Sequence, residues 1–368
     1  MKLKSLLLGS AAALLTVGGA QAADLGAEPV NYVRVCDAFG AGFYYAPGTD
    51  TCIKISGWVR MDVNIGTQPY NGTVSASHAF SMYNQLQVTA ASMTEYGPLI
   101  GYIGIEQGFF GNGPGLGIGQ FIGVDAATLQ LGPFSAGYAW SSFSNNIFST
   151  YHNAPFSPLG GNHTIFAQLS WAWEGVGVFV ALEDYRTRDF GGTGGGNAST
   201  GNIPDVVGGL TFGGGGFNAK VSAGWGDRQI TDTWGVHGEL GFGLGQLGNL
   251  SIQATYSANA DDWSCWRGTG LTWGATPTVL GCGNTGNFTG AYVGLSTPWT
   301  SQLSTLIAGL WYDTPAAIGL DYWRVIGQVQ YTVVPNFFVG AEISHTSWQA
   351  GGPADATTGI LRVQRSFP

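Results

Sequence analysis

The chain has 368 residues, of which 61 are glycine, 13% are aromatic and only 10% are charged, and its formal net charge is −9. About 25% of the residues in an ordinary soluble domain are charged, so the composition is unusual for one, and an acidic chain without basic clusters offers no surface for nucleic acid. No segment beyond the N-terminal one has the roughly 18 uninterrupted apolar residues that a membrane-spanning helix needs; a membrane form would be a closed β-barrel, and the alternative is a glycine-rich secreted β-protein.

Residues 1–22 have the organisation of a secretory signal peptide. Two lysines precede an apolar run at 6–17, and the small-residue pattern AQA follows at 20–22. The run is too short for a spanning helix, and this order of features is typical of a segment that is removed on export. We therefore expect residues 23–368 to form a single domain, which begins with an N-terminal segment at 23–50.

The four cysteines form two pairs that are close in sequence, Cys36 with Cys52 and Cys265 with Cys282. An exported chain folds in an oxidising compartment, so we expect two disulfides, each closing a loop of about 15 residues and contributing on the order of 3 kcal/mol. The alternative is a metal site. Since neither pair has a CxxC spacing or a histidine pair nearby, we expect no metal and no other cofactor.

The clearest strand runs from Cys52 to Ile65, where the side chains alternate between two faces. One face is apolar or glycine, and the other carries every charge of the segment, Lys54, Arg60 and Asp62. A period of two indicates a strand with lipid on one face and a water-filled lumen on the other. Four further segments alternate in the same way, at 217–223, 250–257, 321–332 and 337–344.

The connections between these segments alternate between short turns and long loops. The long ones are at 108–120, 142–162, 185–202 and 258–287. Short turns on the periplasmic side and long loops on the extracellular side are typical of an outer-membrane barrel. Counting the segments predicts an all-β, antiparallel transmembrane barrel of about 16 strands, a size that leaves an aqueous channel rather than a packed core.

The last residues read as the strand that closes the barrel. Leu361, Val363 and Phe367 share one face, although Ile360 and Arg365 break the alternation. Closure requires the first and last strands to pair, and this pairing predicts a basic stripe on the inner wall. The stripe consists of Lys54, Arg60 and Arg362. The full set of predicted pore-lining residues is Lys54, Arg60, Asp62, Lys220, Glu239, Arg324, Glu342 and Arg362.

Both ends of the mature chain resemble the alphaproteobacterial general porins. The similarity lies in YVRVCDAFGAGFYY at 32–45 with PGT at 47–49, in GWVR at 57–60, and in LRVQRSF at 361–367. The resemblance implies a homotrimeric, sixteen-stranded barrel in the cell outer membrane. It also implies that the third long loop, here 142–162, folds into the pore.

The predicted constriction loop departs from the pattern of the family it resembles. In such porins the loop usually carries acidic residues that face arginines on the wall, but 143–156 contains no Asp, Glu, Lys or Arg. We therefore predict weak ion selectivity, or a slight anion preference from the wall. The residues expected to narrow the pore are Phe148, Tyr151, His152 and Phe156.

These features predict a passive channel for small hydrophilic solutes and ions, not an enzyme. Its expected surroundings are outer-membrane lipid and lipopolysaccharide, to which acidic outer loops would bind through divalent cations. One alternative is a sugar-selective channel in which Tyr151 and Phe156 stack on the solute, and another is a surface adhesin on the same barrel. An outer-membrane lipase is disfavoured because no strand carries a Ser and His pair on one face at a useful spacing.

Overall fold

One continuous antiparallel sheet forms the computed structural model of the chain. The structure describes residues 34–67, 76–111, 118–143, 150–151, 163–184, 203–227, 232–259, 286–313, 321–348 and 355–367. The strands are β1 (Tyr44–Tyr45), β2 (Cys52–Thr67), β3 (Ala76–Thr94), β4 (Gly97–Gly111), β5 (Ile118–Leu131), β6 (Phe134–Trp140), β7 (His163–Trp173), β8 (Val176–Asp184), β9 (Asp205–Gly214), β10 (Phe217–Gly226), β11 (Thr233–Gly243), β12 (Asn249–Ala258), β13 (Phe288–Pro298), β14 (Leu303–Asp313), β15 (Tyr322–Val334), β16 (Phe337–Trp348) and β17 (Ala356–Phe367). Two short 3-10 helices lie at Asp37–Phe39 and Gly245–Leu247.

The sheet closes on itself between its last and its first long strand. Strand β17 pairs with β2, with Leu361 opposite Val63. From β2 to β17, each strand also pairs with the strands next to it in the sequence. These strands form the wall of a sixteen-stranded barrel, and the two-residue strand β1 pairs with the start of β2. The predicted all-β barrel and its strand number are confirmed.

The two faces of the strands differ in the way that the alternation predicted. On β2, Ile55 and Val59 are 46% and 41% exposed on the outside, whereas Asp62 is 4% exposed on the inside. On β15, Trp323 faces outward and Arg324 is buried on the inner face. Apolar side chains outside and polar side chains inside are the arrangement that a barrel in lipid requires.

Aromatic side chains mark both ends of the outer surface. Trp171 and Trp173 point outward beside the short turn between β7 and β8, and Trp311 and Trp323 point outward at the opposite end of the wall. Such girdles lie at the two membrane–water interfaces of a barrel. In the described ranges, no helix is long and apolar enough to span a membrane.

The side chains of the closing strand β17 point alternately inward and outward, although two of its residues do not fit the alternation of apolar and polar types. Ile360 lies buried on the inner face, and Arg365 is exposed on the outer face at the short-turn end. There the Arg365 Nη1 donates to the Pro335 carbonyl at 2.7 Å. These two residues do interrupt the alternation of residue types, as expected, and Arg365 is accommodated because a guanidinium at the strand end reaches a backbone carbonyl from the outer face.

One predicted long loop is mostly strand. Strand β4 continues to Gly111 and β5 begins at Ile118, and these two residues pair directly. The connection is therefore reduced from 108–120 to 112–117, because a glycine-rich sequence that reads as a loop forms the upper part of a hairpin. The segments 185–202 and 258–287 do lie between strand ends, at Asp184 to Asp205 and Ala258 to Phe288.

The first predicted disulfide is confirmed. Cys36 and Cys52 are bonded, and both are buried. The second pair, Cys265 and Cys282, lies outside the described residues, as does the segment 1–22 that resembles a signal peptide.

Candidate constriction of the channel

Tyr151 lies against the inner face of β15 to β17, although it belongs to the connection between β6 and β7. Its hydroxyl is 3.0 Å from Gln330 Oε1, and its ring stacks with the Phe338 ring at a centroid distance of 6.1 Å. The wall makes room for this ring at Gly340, where a Cβ would clash with the Tyr151 hydroxyl and ring. The inner-face residues of β15 to β17 that contact Tyr151 form its seat. Gly340 is one of them, because a Cβ there would leave no room for the ring.

Charged side chains of the wall hold the backbone of Tyr151. Its N–H donates to Glu342 Oε2 at 2.6 Å, and its carbonyl accepts from Arg362 Nη2 at 3.0 Å. The Arg362 guanidinium also lies over the Tyr151 ring, 4.4 Å from its centroid. Burial raises the pKa of the Tyr151 phenol, so the hydroxyl stays protonated in its seat.

The predicted basic stripe contains an acid at its centre. Arg362 forms a two-pronged ion pair with Asp62 at 2.7 and 2.8 Å, and the Arg60 Nε lies 3.6 Å from the same carboxylate. Arg60 packs on the ring of Tyr83 at 4.8 Å. Lys54 lies at the start of β2, where its Nζ donates to a backbone carbonyl. Arg60 and Arg362 are thus neighbours, and closure also brings the predicted pore-lining Asp62 opposite Arg362.

The other end of the loop packs against a different part of the wall. Phe143 is buried against side chains of β8 and β9, and its carbonyl accepts a hydrogen bond from the Ser222 hydroxyl of β10. Its ring also lies 6.0 Å from the His237 ring of β11. The apolar partners of Phe143 are Phe179, Ala181 and Val207.

A carboxylate fixes the polar residues just before Phe143. Glu183 is fully buried and accepts hydrogen bonds from the Ser141 hydroxyl at 2.8 Å and from the Ser142 N–H at 3.1 Å. The Ser142 hydroxyl donates to Gln168 of β7. Glu183 was not singled out from the sequence, although its position opposite the apolar Val180 and Leu182 on β8 was the signal that would have placed it inside.

Phe143 and Tyr151, the two described ends of this loop segment, contact parts of the wall that lie far apart around the barrel. Phe143 contacts strands β8 to β11, whereas Tyr151 contacts β15 to β17. Eight residues of extended chain span at most about 26–29 Å, so Phe143 and Tyr151 lie no farther apart than this. The predicted constriction residues Phe148, His152 and Phe156 lie outside the described residues.

The remaining predicted wall charges occupy two separate positions. Lys220 faces Glu239 across β10 and β11, and its Nζ lies 5.5 Å from the Phe179 ring centroid. The Glu239 carboxylate lies 3.7 Å from His237 Nε2. Arg324 is on β15, where its Nε donates to the hydroxyl of a threonine on β16 at 2.6 Å.

Two acids beside the arginine wall were missed. Glu106 is on β4, opposite Gln85 of β3, and the Gln85 amide donates to Asp125 Oδ2 at 2.6 Å. Asp125 also lies 3.2 Å from His163 Nε2. It is the extra residue of a β-bulge, since Val124 pairs with Ile105 and the following pair begins one residue later. A bulge shifts the alternation, so a strict period of two cannot place this side chain.

Aromatic side chains cover the inner wall at the long-loop end of β13 to β16. Tyr322 lies 4.8 Å from Trp348 and 5.8 Å from Tyr312, measured between ring centroids. Phe288 stacks with Tyr312 at 6.3 Å. Within the described strands and turns, no three His, Cys, Asp or Glu side chains are close enough to hold a metal ion.

Comparison with known proteins gives matches over nearly the whole chain. A family model described as "Porin subfamily" matches residues 23–360. Porin Omp2b of Brucella neotomae is 32% identical over 398 aligned residues, which cover 100% of both chains. Two solved structures share the fold. The outer-membrane channel DcaP of Acinetobacter baumannii has a TM-score of 0.68 at 14% identity, covering 88% of this chain and 99% of its own. An anion-selective porin from Comamonas acidovorans has a TM-score of 0.58 at 14% identity, covering 86% and 100%.

Proposed function

Because the chain belongs to the Porin subfamily, and is therefore an outer-membrane diffusion channel rather than an enzyme, we propose that the segment 143–151 forms its narrowest passage. The observation that carries this proposal is the attachment of Phe143 and Tyr151 to walls that are six strands apart, β10 and β16. A chain segment fixed at both ends across a lumen divides the cross-section and sets the size of the solutes that pass.

We propose that the pore selects mainly by size and only weakly by charge. Arg362 is neutralised by Asp62, and Arg60 lies beside the same carboxylate. The segment that crosses the lumen carries no charged side chain. Exposed charges are screened within about 8–10 Å at physiological ionic strength, so paired charges leave little net field in the passage.

The slight anion preference is the weaker form of this proposal. It depends on Lys54, Arg60, Arg324 and Arg362. Glu106 and Asp125 lie on β4 and β5, beside the wall that carries Arg60, and oppose it. Net selectivity near unity follows from the two sets of charges together.

A sugar-selective channel has less support. Stacking on a sugar requires an open aromatic face, but one face of Tyr151 lies under the Arg362 guanidinium and the ring also stacks with Phe338. Tyr151 is therefore a structural anchor of the segment in this proposal. An adhesin on the same barrel has no observation in its favour.

The surroundings of the channel follow from its family. We propose that residues 1–22 are removed on export, that three copies of the mature barrel associate, and that the outer belt contacts lipid and lipopolysaccharide. The exposed apolar face of the strands fits the lipid contact. Chemical cross-linking of the protein in native membranes checks the trimer, and a monomer alone would contradict it.

Single-channel recording in planar bilayers tests the proposed function. We expect stepwise openings, a reversal potential close to zero in a salt gradient, and no saturable block by neutral sugars. A strong cation or anion preference would contradict the weakly selective pore, and saturable block would favour the sugar-selective channel. A folded barrel that forms no channel would overturn the proposal.

A further inference from the structure

A hairpin closed by a disulfide lies at the short-turn end of the barrel. It spans residues 34–52, and its strand β1 pairs antiparallel with the start of β2. The Cys36 N–H donates to the Phe43 carbonyl at 3.0 Å, so backbone hydrogen bonds as well as the disulfide join its two arms. Outer-membrane barrels turn their short-turn end towards the periplasm, so the hairpin lies at the periplasmic mouth.

The hairpin occupies an edge that the closing strand leaves open. Strand β17 ends at Phe367, which pairs with Gly57, so the first residues of β2 extend beyond it. Tyr44 and Tyr45 pair with this extension. An unpaired edge exposes backbone donors and acceptors, and its pairing with β1 holds the hairpin against the wall.

Lys54 connects the hairpin with the inner face of the barrel. It alternates with Ile53 and Ile55 and therefore points into the lumen. Its Nζ donates to the Ala41 carbonyl at 3.2 Å, and a Cβ at Gly42 would lie 3.3 Å from its Cε. Residues 41–42 thus contact a side chain that points into the lumen.

We propose that this hairpin forms a second narrowing of the channel, at the periplasmic mouth, and that Lys54 determines selectivity there. The inference rests on the proposed function as an open pore. The Cys36–Cys52 bond keeps residues 41–42 over Lys54, where a carbonyl and the Phe43 ring partly satisfy the ammonium group. Release of the hairpin widens this mouth and frees the Lys54 charge to attract anions.

Reduction of the disulfide in recorded channels tests the proposal. A dithiol transfers two electrons and two protons to the Cys36–Cys52 bond, which becomes two thiols while the reductant becomes a cyclic disulfide. The recordings use a Cys265→Ser/Cys282→Ser background, so that only the hairpin responds. Neutral polymers of graded size, added to one side at a time, measure the width of each mouth.

We expect reduction to raise the size of polymer that enters from the periplasmic side, and to leave the extracellular cutoff unchanged. Conductance should rise by a factor of about 1.2–2, because it follows the open cross-section, and the anion share of the current should increase. Adding Cys36→Ser/Cys52→Ser to the background should give the wide state without reductant. Adding Lys54→Met to the background instead should also widen the mouth, because it removes the contact with the Ala41 carbonyl. This variant should show no gain in anion current.

Each contrary outcome has a definite meaning. Unchanged polymer cutoffs in channels whose hairpin thiols are shown to be free would overturn the second narrowing. Loss of all channels on reduction would also overturn it, because the disulfide would then stabilise the barrel as a whole. Absence of channels in the oxidised protein would contradict the proposed function, whereas channels that ignore the reductant would contradict this inference alone.

Discussion

Arg362 and Asp62 join the last and first long strands of the barrel through a two-pronged ion pair at 2.7 and 2.8 Å. The two residues are also direct partners in the register of β17 and β2. Since Arg362 donates to the Tyr151 carbonyl as well, one guanidinium links barrel closure to the position of Tyr151.

Asp62→Asn should weaken both the closure of the barrel and the attachment of Tyr151 to the wall. It removes the charge that pairs with buried Arg362, and breaking one partner of a buried pair costs up to about 3–5 kcal/mol. We expect a lower unfolding temperature, more current noise and a shift of the reversal potential towards anions. Thermal unfolding and single-channel recordings check this result. Glu95→Gln, on an exposed residue of the short turn between β3 and β4, is the matched control and should change none of the three.

Gly340→Ala should displace Tyr151 without disturbing strand pairing. A Cβ at this position clashes with the Tyr151 hydroxyl, and overpacking of this kind costs about 1–3 kcal/mol. We expect a larger or less stable single-channel conductance, while circular dichroism shows a nearly unchanged β-sheet content. Gly213→Ala is the control, because a Cβ there meets no atom within 4 Å. Equal conductance in both variants would argue against the Tyr151 seat.

Much of the barrel could be predicted from the sequence because strands in lipid repeat every two residues. The alternation of Lys54, Arg60 and Asp62 on β2 reports a local property, and the structure bears it out. Asp125 escaped this reasoning because a bulge shifts the alternation by one residue. Glu106 sits on the inner face of β4, just before the residues 108–120 that were predicted to be a long loop, in a segment for which no alternation was recognised.

The seat of Tyr151 was not predictable by the same means. Its partners Gln330, Glu342 and Arg362 are far from it in the chain, and no local pattern says which residue of a loop meets which strand. The requirement for glycine at 340 follows only from that long-range contact.

High pH should release Tyr151 from its seat. Burial raises the pKa of its phenol above the ordinary value of 10.0, so the seated form keeps its proton at a pH where a released tyrosine has lost it. The free energy that favours the seat is therefore fully present below about pH 10 and declines as the pH rises further. Single-channel conductance recorded between neutral and strongly alkaline pH should change above that point.

Tyr151→Phe provides the control for this pH effect. The variant keeps the ring and the backbone contacts but loses the hydrogen bond to Gln330, at a cost of about 0.5–1.5 kcal/mol. Its conductance should lack the alkaline change at Tyr151. An identical alkaline change in both proteins would assign the effect to another group.

Two substitutions that each remove one charge from neighbouring parts of the wall should shift the ion selectivity in opposite directions. Arg60→Gln removes a positive charge from β2, and Glu106→Gln removes a negative charge from β4. One unit charge about 8 Å from a permeating ion in water is worth about 0.5 kcal/mol, or roughly a twofold change in local ion concentration. We therefore expect Arg60→Gln to shift the permeability ratio about twofold towards cations, and Glu106→Gln by a similar factor towards anions.

Reversal potentials in a salt gradient measure both shifts, and the double variant should return close to the parent value. Raising the ionic strength should shrink both shifts, since screening shortens to about 3 Å at 1 M. If the two substitutions moved the reversal potential in the same direction, the change would come from an altered pore shape. If neither moved it, the passage would lie away from β2 and β4, and the charges near Tyr151 would not control ion flow.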